Sequence, residues 1–108
     1  MKKLTSQDQL TKFVADNNVA LVKFSAEWCA PCKMMTPLLK DIEKDYPDIA
    51  FADIDVEEAE GVSKSMNISA VPILISYKNG KEVARHVGYA AKKALEVFVN
   101  GLNKDGAK

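Results

Sequence analysis

The chain has 108 residues, 47% of them hydrophobic and 28% charged, with 15 basic side chains balanced by 15 acidic ones. This composition points to one globular domain over residues 1–108 and argues against intrinsic disorder. A neutral chain gives no electrostatic case for nucleic acid or an anionic membrane. Two cysteines and a single histidine, His86, are too few for a zinc site built by this chain alone.

The chain opens Met1-Lys2-Lys3-Leu4-Thr5-Ser6, with polar residues where a signal peptide needs an apolar stretch. No segment reaches the ~20 apolar residues of a membrane span. The expectation is a cytoplasmic monomer. A short strand can form near Lys3. Residues 6–17 then carry Leu10, Phe13 and Val14 at helical spacing behind Ser6, a good N-cap. Residues 19–25 form a short apolar run, broken by Lys23, and read as a buried strand. A long helix follows over residues 31–46, with a stripe of Met34, Leu38, Ile42 and Tyr46 widened by Met35 and Leu39. Pro37 inside it predicts a kink.

Residues 49–56 read as the next strand and 57–65 as a short helix. Residues 71–77 form a strand entered through Pro72. Asn79-Gly80 signals a hairpin into residues 82–87. Leu95, Phe98, Val99 and Leu102 mark the last helix, and the polar tail at 103–108 is expected to fray. Strands alternating with helices and closed by a hairpin predict an α/β fold, a central mixed sheet flanked by helices on both faces.

The chemistry gathers in Glu27-Trp28-Cys29-Ala30-Pro31-Cys32-Lys33, where a strand ends and a helix begins. The unpaired N–H groups and partial positive charge of a helix N-terminus stabilise a thiolate on Cys29. Pro31 fits the first turn, where no N–H is needed. The two-residue spacer lets Cys32 reach back to Cys29. Cys29 is then the exposed nucleophile and Cys32 the resolving thiol of a disulfide exchange. The competing reading is half of a metal site completed by a second chain.

Trp28-Cys29-Ala30-Pro31-Cys32-Lys33, followed by Val71-Pro72 and Gly88, resembles the thioredoxin family over essentially the whole chain. Pro37 and the Asn79-Gly80 hairpin extend the likeness. The resemblance implies a thioredoxin-like fold and a thiol–disulfide oxidoreductase that reduces protein disulfides. It implies no bound cofactor, only the Cys29–Cys32 dithiol/disulfide. It implies an NADPH-dependent thioredoxin reductase and disulfide-containing proteins as partners. Trp28 corresponds to the flanking tryptophan, and Pro72 to a cis-proline facing the disulfide. The Val71 backbone would pair with an extended substrate. Val56, Gly88 and Tyr89 fall in the family's substrate groove, although Gly88 equally suits a plain turn.

Two positions depart from the family pattern. Ala30-Pro31 replaces the commonest spacer, Gly-Pro. Lys23, six residues before Cys29, stands where the family usually carries a buried aspartate that exchanges protons with the resolving thiol. Asp53 falls on the neighbouring strand, so Lys23 and Asp53 are expected to form a charge-swapped pair beneath Cys32. The alternative is a lysine whose ammonium snorkels to water. Either partner could relay the Cys32 proton. A positive charge there also leaves open an oxidase or isomerase on the same fold, and a non-catalytic binding module is the third reading. Elsewhere the expectations are structural. His86 sits on a solvated strand face, and Met34 and Met35 fill the core. Lys92-Lys93 lie on a solvated helix face. Asp53, Asp55, Glu57 and Glu58 belong to a strand end and a helix start, not to a metal site.

Overall fold

The computed structural model describes the backbone of residues 1–106 and the side chains through residue 102. Its elements are β1 (Lys2–Leu4), α1 (Gln7–Asp16), β2 (Val19–Ser25), α2 (Ala30–Glu43), β3 (Ala50–Asp55), α3 (Val62–Ser65), β4 (Ile73–Lys78), β5 (Lys81–Val87) and α4 (Lys92–Gly106). The five strands form one sheet in the order β1-β3-β2-β4-β5. β1, β3 and β2 run parallel, while β4 is antiparallel to both β2 and β5. This is the mixed sheet with helices on both faces that the pattern of elements predicts.

Strand β2 is central, and its side chains alternate between the two faces as the two-residue strand period requires. Ala20, Val22 and Phe24 join Leu10, Phe13 and Val14 of α1 and Val62 of α3 in one core. Leu21 joins Met35, Leu39 and Ile42 of α2 and Leu95 and Val99 of α4 in the other. Lys23 and Ser25 share the parity of Leu21. The sheet therefore directs a lysine and a serine beneath α2.

Local chemistry sets the boundaries. Ser6 caps α1 by accepting the Gln9 N–H at 3.1 Å. Asn79 and Gly80 both have positive φ, +53° and +83°, as a two-residue hairpin loop requires. The helix expected over 57–65 is only the single turn Val62–Ser65. Gly61, at φ +83°, interrupts it, and the Asp55 carboxylate instead holds a turn by accepting the N–H groups of Glu57 and Glu58. Pro37 lies inside α2.

Two side-chain expectations fail. Met34 is 57% exposed, because the buried stripe of α2 is Cys32, Met35, Leu39 and Ile42, one position round the helix. His86 is half-buried, not on an open solvated face. It lies across from Leu74 in the β4–β5 register, on the face that α4 covers, and its ring meets Phe98 edge-on at 6.1 Å. Lys92 and Lys93 are exposed, and Lys92 pairs with Asp41 of α2. Of the tail expected to fray, α4 continues through Gly106, and residues 107 and 108 lie outside the described residues.

The hairpin offers a clean test of backbone conformation. A Cβ on Gly80 would meet nothing within 4 Å, so Gly80→Ala changes only the cost of the left-handed conformation. The variant is expected to lose about 1–2 kcal/mol of stability in urea unfolding, with an unchanged m-value.

Candidate active site

The turn between β2 and α2 carries both cysteines. Cys29 is the N-cap of α2, and its Sγ accepts the Cys32 N–H at 3.2 Å. The sulfur thus sits where the helix presents its unpaired donors and positive end. Ala30 and Pro31 form the exposed first turn. Cys29 and Cys32 are joined as a disulfide, which is the redox centre. Both are buried, at 3% and 1% exposure, in a small cluster with Ala26 and the side chain of Val71. Cys29 is therefore as buried as Cys32, and not the exposed sulfur that the sequence led us to expect. Packing of Ala26 and Val71 around the closed ring accounts for the difference from expectation.

The Val71–Pro72 peptide is cis and Pro72 is buried. The Pro72 carbonyl accepts the Gly88 N–H at 2.8 Å, which ties the end of β5 to the proline loop. Gly88 has φ +93°, so the backbone there requires glycine, and its N–H is already used. Trp28 is 69% exposed, and its indole N–H donates to Glu57 at 2.9 Å. Trp28, Val56, Ile68 and Val71 line a shallow cavity of about 160 Å³ beside the disulfide. Tyr89 is exposed and does not line it.

Beneath Cys32 lies Lys23, 2% exposed. Its Nζ donates to the Cys32 carbonyl at 3.0 Å and to Thr36 Oγ1 at 2.7 Å, and lies 3.6 Å from Asp53 Oδ1. Lys23 and Asp53 are register partners on adjacent parallel strands. The ammonium is thus paired within the fold and does not snorkel out. Asp53 is partly exposed and also accepts the Ser25 hydroxyl at 2.8 Å. Burial pulls the Lys23 pKa below the usual lysine range, the nearby Asp53 charge opposes that, and Lys40 adds to the lowering.

Sequence reasoning passed over Thr36, Ser25 and the Trp28 contact of Glu57. The first two carried a signal. Thr36 is four residues after Cys32 on one helix face, and Ser25 is two after Lys23 on one strand face. Among the described residues, no three His, Cys, Asp or Glu side chains group to hold a metal ion, and no helix is long and apolar enough to cross a membrane.

A disulfide closed at the N-cap of a helix, beside an exposed tryptophan and a cis-proline loop, defines a thiol–disulfide oxidoreductase site. The family model for thioredoxin matches residues 1–101. The chain is 36% identical over 100 residues to thioredoxin of Chlamydia pneumoniae, covering 93% of this chain and 97% of that one. It superposes on Plasmodium falciparum thioredoxin with a TM-score of 0.88 at 34% identity, covering 94% and 98% of the two chains. A chain from a structure of thiol resolution in yeast mitochondrial 1-Cys peroxiredoxin via glutathione/thioredoxin systems gives 0.85 at 31% identity, with 94% and 95% covered. The chain belongs to the thioredoxin family. It is a protein-disulfide oxidoreductase acting by dithiol–disulfide exchange.

The Lys23–Asp53 pair makes a stability prediction. Asp53→Asn leaves a buried ammonium without its counter-charge and is expected to cost about 1–2 kcal/mol, reduced from the fully buried case because Asp53 meets solvent. Lys23→Met removes the buried charge and leaves Asp53 with Ser25 and water, so it is expected to stay within about 1 kcal/mol of the parent. A double-mutant cycle in urea should give a coupling of about 1 kcal/mol. Strictly additive changes would exclude the pairing.

Proposed function

We propose that the chain is a general reductant of protein disulfides, working as a cytoplasmic monomer that carries electrons from an NADPH-dependent thioredoxin reductase. In this reading Cys29 attacks and Cys32 resolves. The observation that carries the assignment is the cap geometry: of the two sulfurs, it is that of Cys29 that accepts a helix N-terminal N–H, from Cys32. That contact favours a thiolate on Cys29. The thiolate attacks one substrate sulfur, a mixed disulfide forms, and the other substrate sulfur leaves with one electron pair and takes up a proton. The Cys32 sulfur then attacks Cys29 Sγ. The Cys29–Cys32 bond forms and the second substrate thiol is released. Two electrons pass to substrate, and the reductase returns them with no cofactor bound to this chain.

The apolar cavity at Trp28, Val56 and Val71 supports a groove for a substrate side chain beside its disulfide. The Val71 backbone, next to buried Pro72, is the edge along which an extended substrate would add as a strand. Gly88 supports this groove through its bond to the Pro72 carbonyl, and the next residue, Tyr89, is exposed to solvent. The peroxiredoxin system in which a structural relative was studied supports the class of partner, proteins whose cysteines cycle through disulfides.

The test couples the protein to NADPH and a thioredoxin reductase, with insulin disulfides as substrate. Cys29→Ser is expected to abolish turnover. Cys32→Ser is expected to accumulate a mixed disulfide through Cys29, seen as a mass adduct removed by dithiothreitol. An adduct on Cys32 in Cys29→Ser, with none on Cys29 in Cys32→Ser, would reverse the two roles. A potential nearer about −270 mV, the value general to thioredoxins, than the about −180 mV of isomerases supports the reductant reading.

A further inference from the structure

Among the described residues, Lys23 is the charged side chain that the fold buries, and it is buried against the resolving cysteine. Its ammonium has three N–H donors and three oxygens around it: the Cys32 carbonyl, Thr36 Oγ1 and Asp53 Oδ1. Thr36 Oγ1 lies 3.4 Å from the same Cys32 carbonyl, so the cation is clamped to the first turns of α2. Next to it is a cavity of about 240 Å³ lined by Lys23, Ser25, Cys32, Thr36 and Asp53. This cavity borders Cys32 and not Cys29.

The charges around Lys23 do not cancel at Cys32. Asp53 on β3 is the opposing charge, but its side chain is 29% exposed where Lys23 is 2%. Charge interactions weaken as the local dielectric rises, so solvent screens the carboxylate more than the ammonium. Lys40 of α2 adds positive potential. Lys3 of β1, Lys33 of α2, Glu27 and Asp55 border the cavity, two of each sign. On the β4 side the register neighbour of Lys23 is the apolar Leu74.

We propose that Lys23 is a positioning residue for the exchange reaction, whose standing ammonium biases reduced Cys32 toward thiolate while the Cys32 proton leaves to water in the adjoining cavity. No carboxylate base is then needed. When the mixed disulfide resolves, Cys32 thiolate attacks Cys29 Sγ, the Sγ–Sγ bond forms, and the substrate sulfur departs as thiolate and takes its proton from water. Lys23 keeps its proton throughout. Because the charge stabilises the reduced form, it also makes the disulfide more oxidising than the same site without it. The inference rests on the reductase reading above.

The experiment compares the parent, Lys23→Met, Lys23→Gln and Asp53→Asn in redox equilibrium with glutathione. Reduced parent protein is titrated by NMR with labelled cysteine Cβ and lysine Nζ. Lys23→Met is expected to shift the equilibrium about tenfold toward the disulfide, about 30 mV more negative, and to raise the Cys32 titration by about one pH unit. Lys23→Gln, which keeps a donor for Cys32 and Thr36 without the charge, is expected to follow Lys23→Met. Asp53→Asn is expected to move both readouts the other way. Lys23→Gln behaving as the parent would reduce the role to hydrogen bonding and overturn the proposal. So would an Nζ that deprotonates in step with Cys32, which makes Lys23 the base. The titration needs no variant and decides even where a substitution fails to fold. Loss of insulin reduction in Cys29→Ser tests the reductase reading separately.

Discussion

Burying a lysine in the central strand is the constraint around which the active site is arranged. An ammonium taken from water costs several kcal/mol unless its donors and charge are met. Lys23 meets that condition with one backbone carbonyl, one hydroxyl and one carboxylate, supplied by α2 and β3. The requirement fixes relative positions. β3 must lie beside β2 in a register that sets Asp53 against Lys23, and the first turns of α2 must pass over the same point. The parallel β2–β3 pair and the β2–α2 turn therefore act as one unit, and both cysteines belong to it.

That unit treats the two sulfurs differently. Cys29, at the N-cap, receives the positive end of a helix and a backbone N–H. Cys32, one turn in, lies over a side-chain cation and beside a cavity. A helix end is a fixed property of the backbone, whereas a lysine is a property of one codon. The surroundings of the first sulfur therefore follow from the fold, while those of the second include a side chain that one substitution would change. Exchange needs such asymmetry, since one thiolate must be ready before substrate arrives and the other only afterward.

Most of this was legible in the sequence, for reasons that differ by element. The strands, hairpin and cysteine turn rest on two-residue alternation, an Asn-Gly turn and a strand-to-helix boundary, all local. The Lys23–Asp53 pair became legible only through a departure from a family pattern, since composition does not tell a buried lysine from a snorkelling one. Failures came where a local signal met a tertiary one. Met34 and Met35 are equally apolar, and only the demand that Cys32 face inward turns Met35 into the core. The acidic run at 57–60 suits a helix start, yet Gly61 in the left-handed region delays the helix to Val62. His86 on an edge strand reads as solvated until α4 is known to cover that face. The spacing of Thr36 from Cys32 was readable, but its partner was not, because Lys23 comes from a strand thirteen residues earlier.

The two departures from the family pattern do not carry equal weight. Ala30 sits at the exposed first turn of α2, so its methyl adds nothing to the packed cluster of Ala26, Cys29, Cys32 and Val71. Its effect is confined to backbone freedom in the spacer. Lys23 lies in the interior, with its ammonium on the Cys32 carbonyl, where the low dielectric gives a charge its longest reach. An inverted charge there lies against the backbone of the dithiol turn, while a methyl at the rim does not. The spacer is the more visible difference in the motif, but the departure that reaches the dithiol from below is a strand residue outside the motif altogether.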